Sequence, residues 1–507
     1  MQSLAEQLEH SRREHAELLQ RYALLEEELR WLKQQVFGRS SEKRSTEDIP
    51  PGQYRLLFNE AELSHVTDAE PAPVALSIPS HQRKKPGRKA IPEQLPRIEV
   101  VHDLSDEEKV CPHDGATLER IGEEAAEQLD YVPAKLRVIR HVRPKYACPS
   151  CRQGVKTAEA PMQVLPKSKA TPALLAHITT SKYVDGLPLN RQERQFARLG
   201  IELPRATMAS WMIKLGADMV MPVVNLLADQ LLESPLIHMD ETRVQVLRSA
   251  KAPTADHWMW VRCAGPPSHR VVLFDYDPSR GGQVPKRLLA DFKGVLLTDG
   301  YEAYGAAATE HGFVHAGCWA HARRKFEEAR KANNAGESRA RVALDYIGRL
   351  YRIERQLRER EAGADAIAQV RQTESAPIVA ELRAWLTDAA ERVLPQSLLG
   401  KAVHYTLGQW NKLVVFLERA EVPLDNNRCE NAIRPFVVGR KAWLFSDTAP
   451  GARASANLYS LVETAKANGI EPLEYLTHLY SHLPGATLAA DFEALLPWNV
   501  KAALTAQ

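Results

Sequence analysis

The sequence predicts a multidomain α+β protein, and three observations carry that reading. The chain has 507 residues, too many for one hydrophobic core. A heptad stripe occupies residues 1–37. From about residue 235 helical spacing gives way to short apolar strands that alternate with helices. Hydrophobic residues make up 44% and charged residues 26%, an ordinary globular balance. With a net charge of only +2, local basic clusters carry more information than the total.

No apolar run approaches the length of a membrane span, and the start "MQSLAEQLEHSRREHAELL" lacks a signal-peptide apolar core. Six cysteines, three of them at Cys111, Cys148 and Cys151, do not form a secreted disulfide framework. These features predict a cytoplasmic protein with no membrane contact.

In residues 1–37, Leu4, Leu8, Ser11, His15, Leu18, Tyr22, Leu25, Leu29, Leu32 and Val36 alternate spacings of four and three. Only Ser11 and His15 interrupt the apolar seam, so a coiled coil that pairs chains into a homo-oligomer is expected. Residues 38–100 lack periodicity and carry eight prolines from Pro50 to Pro96, as a linker does. Within it, "RKKPGRK" clusters Arg83, Lys84, Lys85, Arg88 and Lys89, side chains suited to the negative potential of a narrow minor groove.

Residues 101–165 read as a small zinc-ribbon-like β segment. Cys148-x-x-Cys151 supplies half of a tetrahedral Zn²⁺ site, and Cys111 with His113 or Asp114 would supply the other half. The alternating stretch "EQLDYVPAKLRVIRHVRPKYA" predicts two or three strands between them. Residues 166–225 predict helices, with Thr171 as an N-cap and Pro172 in the first turn. Two short helices around Gly200 fit a helix-turn-helix, with Arg205, Thr207 and Ser210 toward DNA and Met208, Trp211 and Leu215 inward.

Residues 226–335 and 423–460 predict a catalytic domain, interrupted by a helical insertion over 336–422; residues 461–507 form a C-terminal helical segment. The order is strand, strand, strand, helix, strand, helix, strand. Asp240 lies on the first strand and Asp299 follows the fourth, "VLLT". That order matches a ribonuclease H-like sheet, in which the first and fourth strands are neighbours. Hard divalent cations need oxygen ligands, and two such ions can activate an attacking oxygen and stabilise a leaving one. Two aspartates make a thin cage. Glu430, in "DNNRCENAIRP", offers the third carboxylate if its helix meets the two strands. Arg428, Arg434, Arg440 and Lys441 nearby would suit phosphates, and His315 and His321 lie near the fifth strand.

"HMDET", "LLTDGYEAY", "CWAHARRKF" and "NNRCENAIRPFVVGRKAWLFS" resemble the transposases of the insertion sequence 66 family, and the resemblance spans nearly the whole chain. It implies a DDE triad at Asp240, Asp299 and Glu430, Mg²⁺ or Mn²⁺ at that site, element-end and target DNA as substrates, and accessory proteins of the same element. One departure is Cys111-Pro-His-Asp114, where the family commonly has a CxxC pair, so His113 and Asp114 both remain candidates for the fourth zinc ligand. A DNA-binding regulator that lost catalysis, or a nuclease without strand transfer, would share most of these features.

Overall fold

The computed structural model describes residues 4–37, 136–147, 155–332 and 339–505. The linker over 38–100 with its basic run Arg83 to Lys89, and the expected zinc ligands Cys111, His113, Asp114, Cys148 and Cys151, lie outside the described residues. Two compact units are distinguished, one of residues 69–142 and one of the remainder. In the smaller unit, residues 136–142 are extended and exposed and form no strand.

In the larger unit, α1 (Leu4–Phe37) is a continuous helix of 34 residues. Its stripe residues Leu18, Tyr22, Leu25, Leu29 and Leu32 are exposed, while the Glu27 carboxylate accepts from the Leu398 backbone N–H at 3.3 Å. Strands β1 (Lys145–Ala147) and β2 (Val155–Thr157) pair antiparallel. Of the alternating stretch that predicted two or three strands, only β1 forms a strand among the described residues. Leu136, Val138, Ile139 and Val142 are exposed there, so the alternation has no apolar surface to bury against.

Helix α2 (Pro172–Tyr183) begins as expected, its Thr171 hydroxyl accepting from Leu174 N–H. Helices α3 (Leu189–Arg198) and α4 (Arg205–Lys214) flank Gly200, whose φ of +81° favours glycine. Met208 and Leu215 are buried and Trp211 packs on the core. Arg205 and Ser210 are exposed and Thr207 is half-buried. Helix α5 (Met221–Leu232) leads into the sheet.

The central sheet comprises β3 (Leu236–Arg248), β4 (Asp256–Ala264), β5 (Val271–Asp277), β6 (Val295–Thr298) and β7 (Val314–Gly317). Their spatial order is β5-β4-β3-β6-β7, with β3, β4 and β5 antiparallel and β6 and β7 running parallel to β3. The expected neighbourhood of first and fourth strands is therefore present, with His238 opposite Leu297. Strand β3 coincides within one residue at each end with the stretch "PLIHMDETRVQVL" read as the first strand. Beyond Asp240 it continues along β4, alternating buried Val244 and Val246 with exposed Arg243 and Gln245. A short strand, β8 (Ser446–Thr448), pairs parallel with its far end.

Helices α6 (Gln283–Leu288), α7 (Glu302–His311) and α8 (Trp319–Ala332) connect and follow the parallel strands. The helical insertion contributes α9 (Ala340–Glu359), α10 (Ala364–Val370), α11 (Ala376–Arg392), α12 (Leu398–Gly408) and α13 (Trp410–Leu413). Helix α14 (Asn427–Trp443) carries Glu430. Helices α15 (Ala449–Ala467), α16 (Pro472–His482), α17 (Ala489–Glu493) and α18 (Pro497–Thr505) complete the chain.

Two cores result from period-two alternation in the sheet. Leu296 packs with helices that precede and follow the sheet in sequence, in a cluster that includes Leu175, Met208, Leu227 and Tyr459. Its neighbours Val295 and Leu297 pack with Trp319, Phe326, Ile347 and Leu386, so the insertion covers the other face. Among the described residues, no single helix is long and apolar enough to cross a membrane.

Candidate active site

The parallel pairing of β3 with β6 stops at His238 and Leu297; Asp240 lies two residues further along β3 and Asp299 just past the end of β6. Glu430 approaches from the first turn of α14 and is buried, 4% exposed. An acid there is favoured by the helix macrodipole. The proximity of these groups is felt at Asp240. Burial raises its carboxyl pKa well above the ordinary value, and the charges of Glu241, Glu430 and Asp299 raise it further. The Glu241 backbone N–H donates to Asp240 Oδ1 at 2.8 Å and offsets part of the shift. Acids gathered in this way are costly without a counter-charge, and among the described residues the ligand atoms that lie within 4.8 Å of one another are those of Cys318, His321 and Glu430, not those of the two aspartates.

The orientation of α14 depends on Asn426. It occupies the N-cap position, but its side chain makes no capping bond. Instead Asn426 Nδ2 donates to the Met239 carbonyl at 3.0 Å and Oδ1 lies 3.0 Å from His238 Nδ1. Its backbone N–H donates to Cys318 Sγ at 3.3 Å. Because Oδ1 can only accept, His238 carries the proton on Nδ1, and burial pushes its pKa down to about 3. One fully buried amide thus ties the helix bearing Glu430 to the strand bearing Asp240. Arg428 adds hydrogen bonds to the Ala264 and Gly265 carbonyls, the latter at 2.9 Å.

The Asp299 loop is held from both sides. Gly300 has φ +95°, and a Cβ there would meet Gln409 Oε1 at 2.9 Å, so glycine is required. Asp299 Oδ1 accepts from the Tyr301 N–H at 3.0 Å. The insertion reaches in through Tyr405, whose hydroxyl donates to the Asp299 carbonyl at 2.8 Å. Behind Asp240 a fourth acid, Glu241, is held by Arg280 through Nε at 2.9 Å and Nη2 at 2.7 Å, and by the Tyr304 hydroxyl. Arg280 in turn lies over the Tyr301 and Trp258 rings, 4.1 and 4.8 Å from their centroids. Burial raises the Glu241 pKa while these donors oppose it.

Sequence reasoning did not single out Glu241, Arg280, Tyr304, Tyr405 or Cys318. The adjacent acid in "HMDET" was the available signal for Glu241. His315 Nε2 pairs with Thr298 Oγ1 at 2.8 Å beneath the Asp299 loop, and burial pushes its pKa down to about 3. His321 Nδ1 lies 3.8 Å from Glu430 Oε1; burial and then the Arg324 charge lower its pKa to about 4, so it is neutral near pH 7. Arg440 donates to Thr242 Oγ1 at 3.3 Å and to the Arg243 carbonyl, which commits its guanidinium to holding α14 on β3. Arg434 is half-buried and Lys441 exposed on the same helix.

Comparison with known proteins agrees with this architecture. Residues 167–454 match the Transposase IS66 family. Residues 108–152 match the zinc-finger binding domain of transposase IS66, and residues 460–498 the IS66 C-terminal element. Residues 24–100 match a family described as Transposase C of IS166 homeodomain. Among relatives from Sinorhizobium fredii, the uncharacterized protein y4jD is 34% identical over 492 residues, covering 94% of each chain. The uncharacterized protein y4qI is 36% identical over 82% of this chain and 77% of its own length. With its central match covering more than half of the sequence and the flanking matches in the same order, the chain belongs to the IS66 family of transposases.

Proposed function

We propose that the protein binds the ends of its insertion element and carries out metal-dependent DNA cleavage and strand transfer, with Asp240, Asp299 and Glu430 as the acids that hold Mg²⁺ or Mn²⁺. The observation that carries this reading is the parallel pairing of β3 with β6, which sets Asp240 and Asp299 on neighbouring elements, with the buried Glu430 near enough for its charge to raise the Asp240 pKa. The strand order β5-β4-β3-β6-β7 supports a ribonuclease H-like catalytic domain. Bound there, divalent cations would activate an attacking oxygen and stabilise the leaving one. The chain's own part is positional. Strands fix the two aspartates, Asn426 fixes the helix of Glu430, and Tyr405 and Gly300 shape the Asp299 loop.

DNA is the partner this reading requires. Arg83, Lys84, Lys85, Arg88, Lys89, Arg205, Arg434 and Lys441 are the proposed DNA-facing set, with exposure of Arg205 and Lys441 in their favour; Arg440, expected to join them, is instead engaged with β3. The exposed stripe of α1 supports pairing with a second copy through a coiled coil. For Zn²⁺, the proposed ligands are Cys111, Cys148 and Cys151 with His113 or Asp114. The zinc content of Asp114→Ala and His113→Ala proteins, measured by elemental analysis, decides between the last two. Accessory proteins of the same element are proposed as further partners.

The test is Mg²⁺-dependent cleavage and joining of element-end DNA by the full chain. Joined products support the proposal. Cleaved ends that never join a target would leave a nuclease, and binding without cleavage would leave a regulator.

A further inference from the structure

Beside the acid cluster, three chemically different ligand groups meet. Cys318 follows β7 directly, His321 stands in the first turn of α8, and Glu430 reaches in from α14. One ligand atom from each lies within 4.8 Å of the other two. His321 Nδ1, 3.8 Å from Glu430 Oε1, makes no hydrogen bond. Zinc–sulfur and zinc–nitrogen bonds of about 2.3 and 2.0–2.1 Å put tetrahedral ligand atoms on the order of 3.5 Å apart, so small side-chain rotations would close this set on one ion.

One contact in the surroundings suits a bound thiolate, against burial and the charges of Glu430 and Asp425, which raise the Cys318 pKa in the absence of a cation. The Asn426 N–H donates to Cys318 Sγ at 3.3 Å, an outer contact of the kind that orients metal-bound sulfur. Asn426 is itself fixed by its bonds to β3, so this donor cannot drift. A thiolate, an imidazole and a carboxylate together suit a thiophilic ion; Mg²⁺ prefers oxygen alone. Three protein ligands leave a fourth tetrahedral position open.

We propose that Cys318, His321 and Glu430 form a binding site for one thiophilic divalent cation, Zn²⁺ by preference, separate from the zinc segment over residues 108–152. A cation there engages the carboxylate that the proposed function assigns to the Asp240 and Asp299 site. Zn²⁺ would then compete with Mg²⁺-supported cleavage; this consequence rests on that functional reading, whereas the cation site does not.

The test is titration of the full-length protein with Co²⁺, followed by thiolate-to-cobalt absorption and binding stoichiometry. Cys318→Ser and His321→Ala should each lose one equivalent, while Asp240→Asn keeps it. Cys148→Ser should lose a different equivalent. His321 is half-buried and makes no hydrogen bond through Nδ1, so His321→Ala should melt like the wild type and its loss of cobalt is not a folding defect. Unchanged stoichiometry and absorption in Cys318→Ser would overturn the site, as would full cobalt binding by Glu430→Gln. A protein that binds this cobalt but never cleaves DNA would retain the site and refute the transposition chemistry.

Discussion

Asp240 lies on β3 and Asp299 directly follows the neighbouring β6, both close to a registered ladder, whereas Glu430 sits on a helix that returns after the whole insertion. The strand acids share their placement with a sheet buried on both faces. The helix acid depends on a few polar contacts, chief among them the buried amide of Asn426 and the guanidinium groups of Arg428 and Arg440. One cluster thus combines a rigid half and a clamped half. Its fragility should lie in the clamp.

The largest effect should not respect that division. Asp240→Asn, Asp299→Asn and Glu430→Gln should each slow DNA cleavage by about 10³-fold or more, equivalent to about 4 kcal/mol of transition-state stabilisation, while DNA affinity stays within a few-fold. Single-turnover cleavage beside a binding titration checks both parts. A surviving Glu430→Gln activity would reduce the site to the strand acids.

Asn426→Ala separates the two halves. It leaves the buried His238 Nδ1 and the Met239 carbonyl without their partner, which should cost about 2–4 kcal/mol in denaturant unfolding. Tyr405→Phe probes the rigid half, removing one donor to the Asp299 carbonyl. A loss of about 1 kcal/mol in stability is expected, with a smaller loss of cleavage than Asn426→Ala causes. If Tyr405→Phe proves the more damaging, the insertion is the true clamp.

The smallest effect is one of pH. The folded-state pKa of Asp240 is raised above its ordinary 3.8, so the folded protein holds this proton where the unfolded chain has lost it. Stability of the metal-free protein should therefore fall as pH rises from about 4 through the raised pKa. Asp240→Asn should lack that component. The difference between the two melting profiles across pH isolates it, and parallel profiles would show that Asp240 is not crowded by its neighbours.

Much of the rigid half was legible in the sequence. "VLLTDG" specifies a short buried strand ending in an acid, and β6 has those bounds. The neighbourhood of the first and fourth strands followed from their order. The clamp was not legible. The role of Asn426 leaves no local signal, because its side-chain partners lie 187 and 188 residues away. Glu241 was hidden by its neighbour Asp240; its burial depends on Arg280 and Tyr304, 39 and 63 residues further on. Conversely, alternation in 136–142 predicted a strand that does not form, since a period of two yields a strand only where a partner and a core exist.

Asp240, Asp299 and Glu430, carried by three elements, are proposed to share one metal site. Replacing Mg²⁺ with Fe²⁺ in the full-length protein and adding ascorbate would cut the backbone next to bound iron. The account predicts fragments ending near all three residues, suppressed by excess Mg²⁺ and lost in Asp240→Asn. Cuts near Asp240 and Asp299 alone, with none near Glu430, would contradict it.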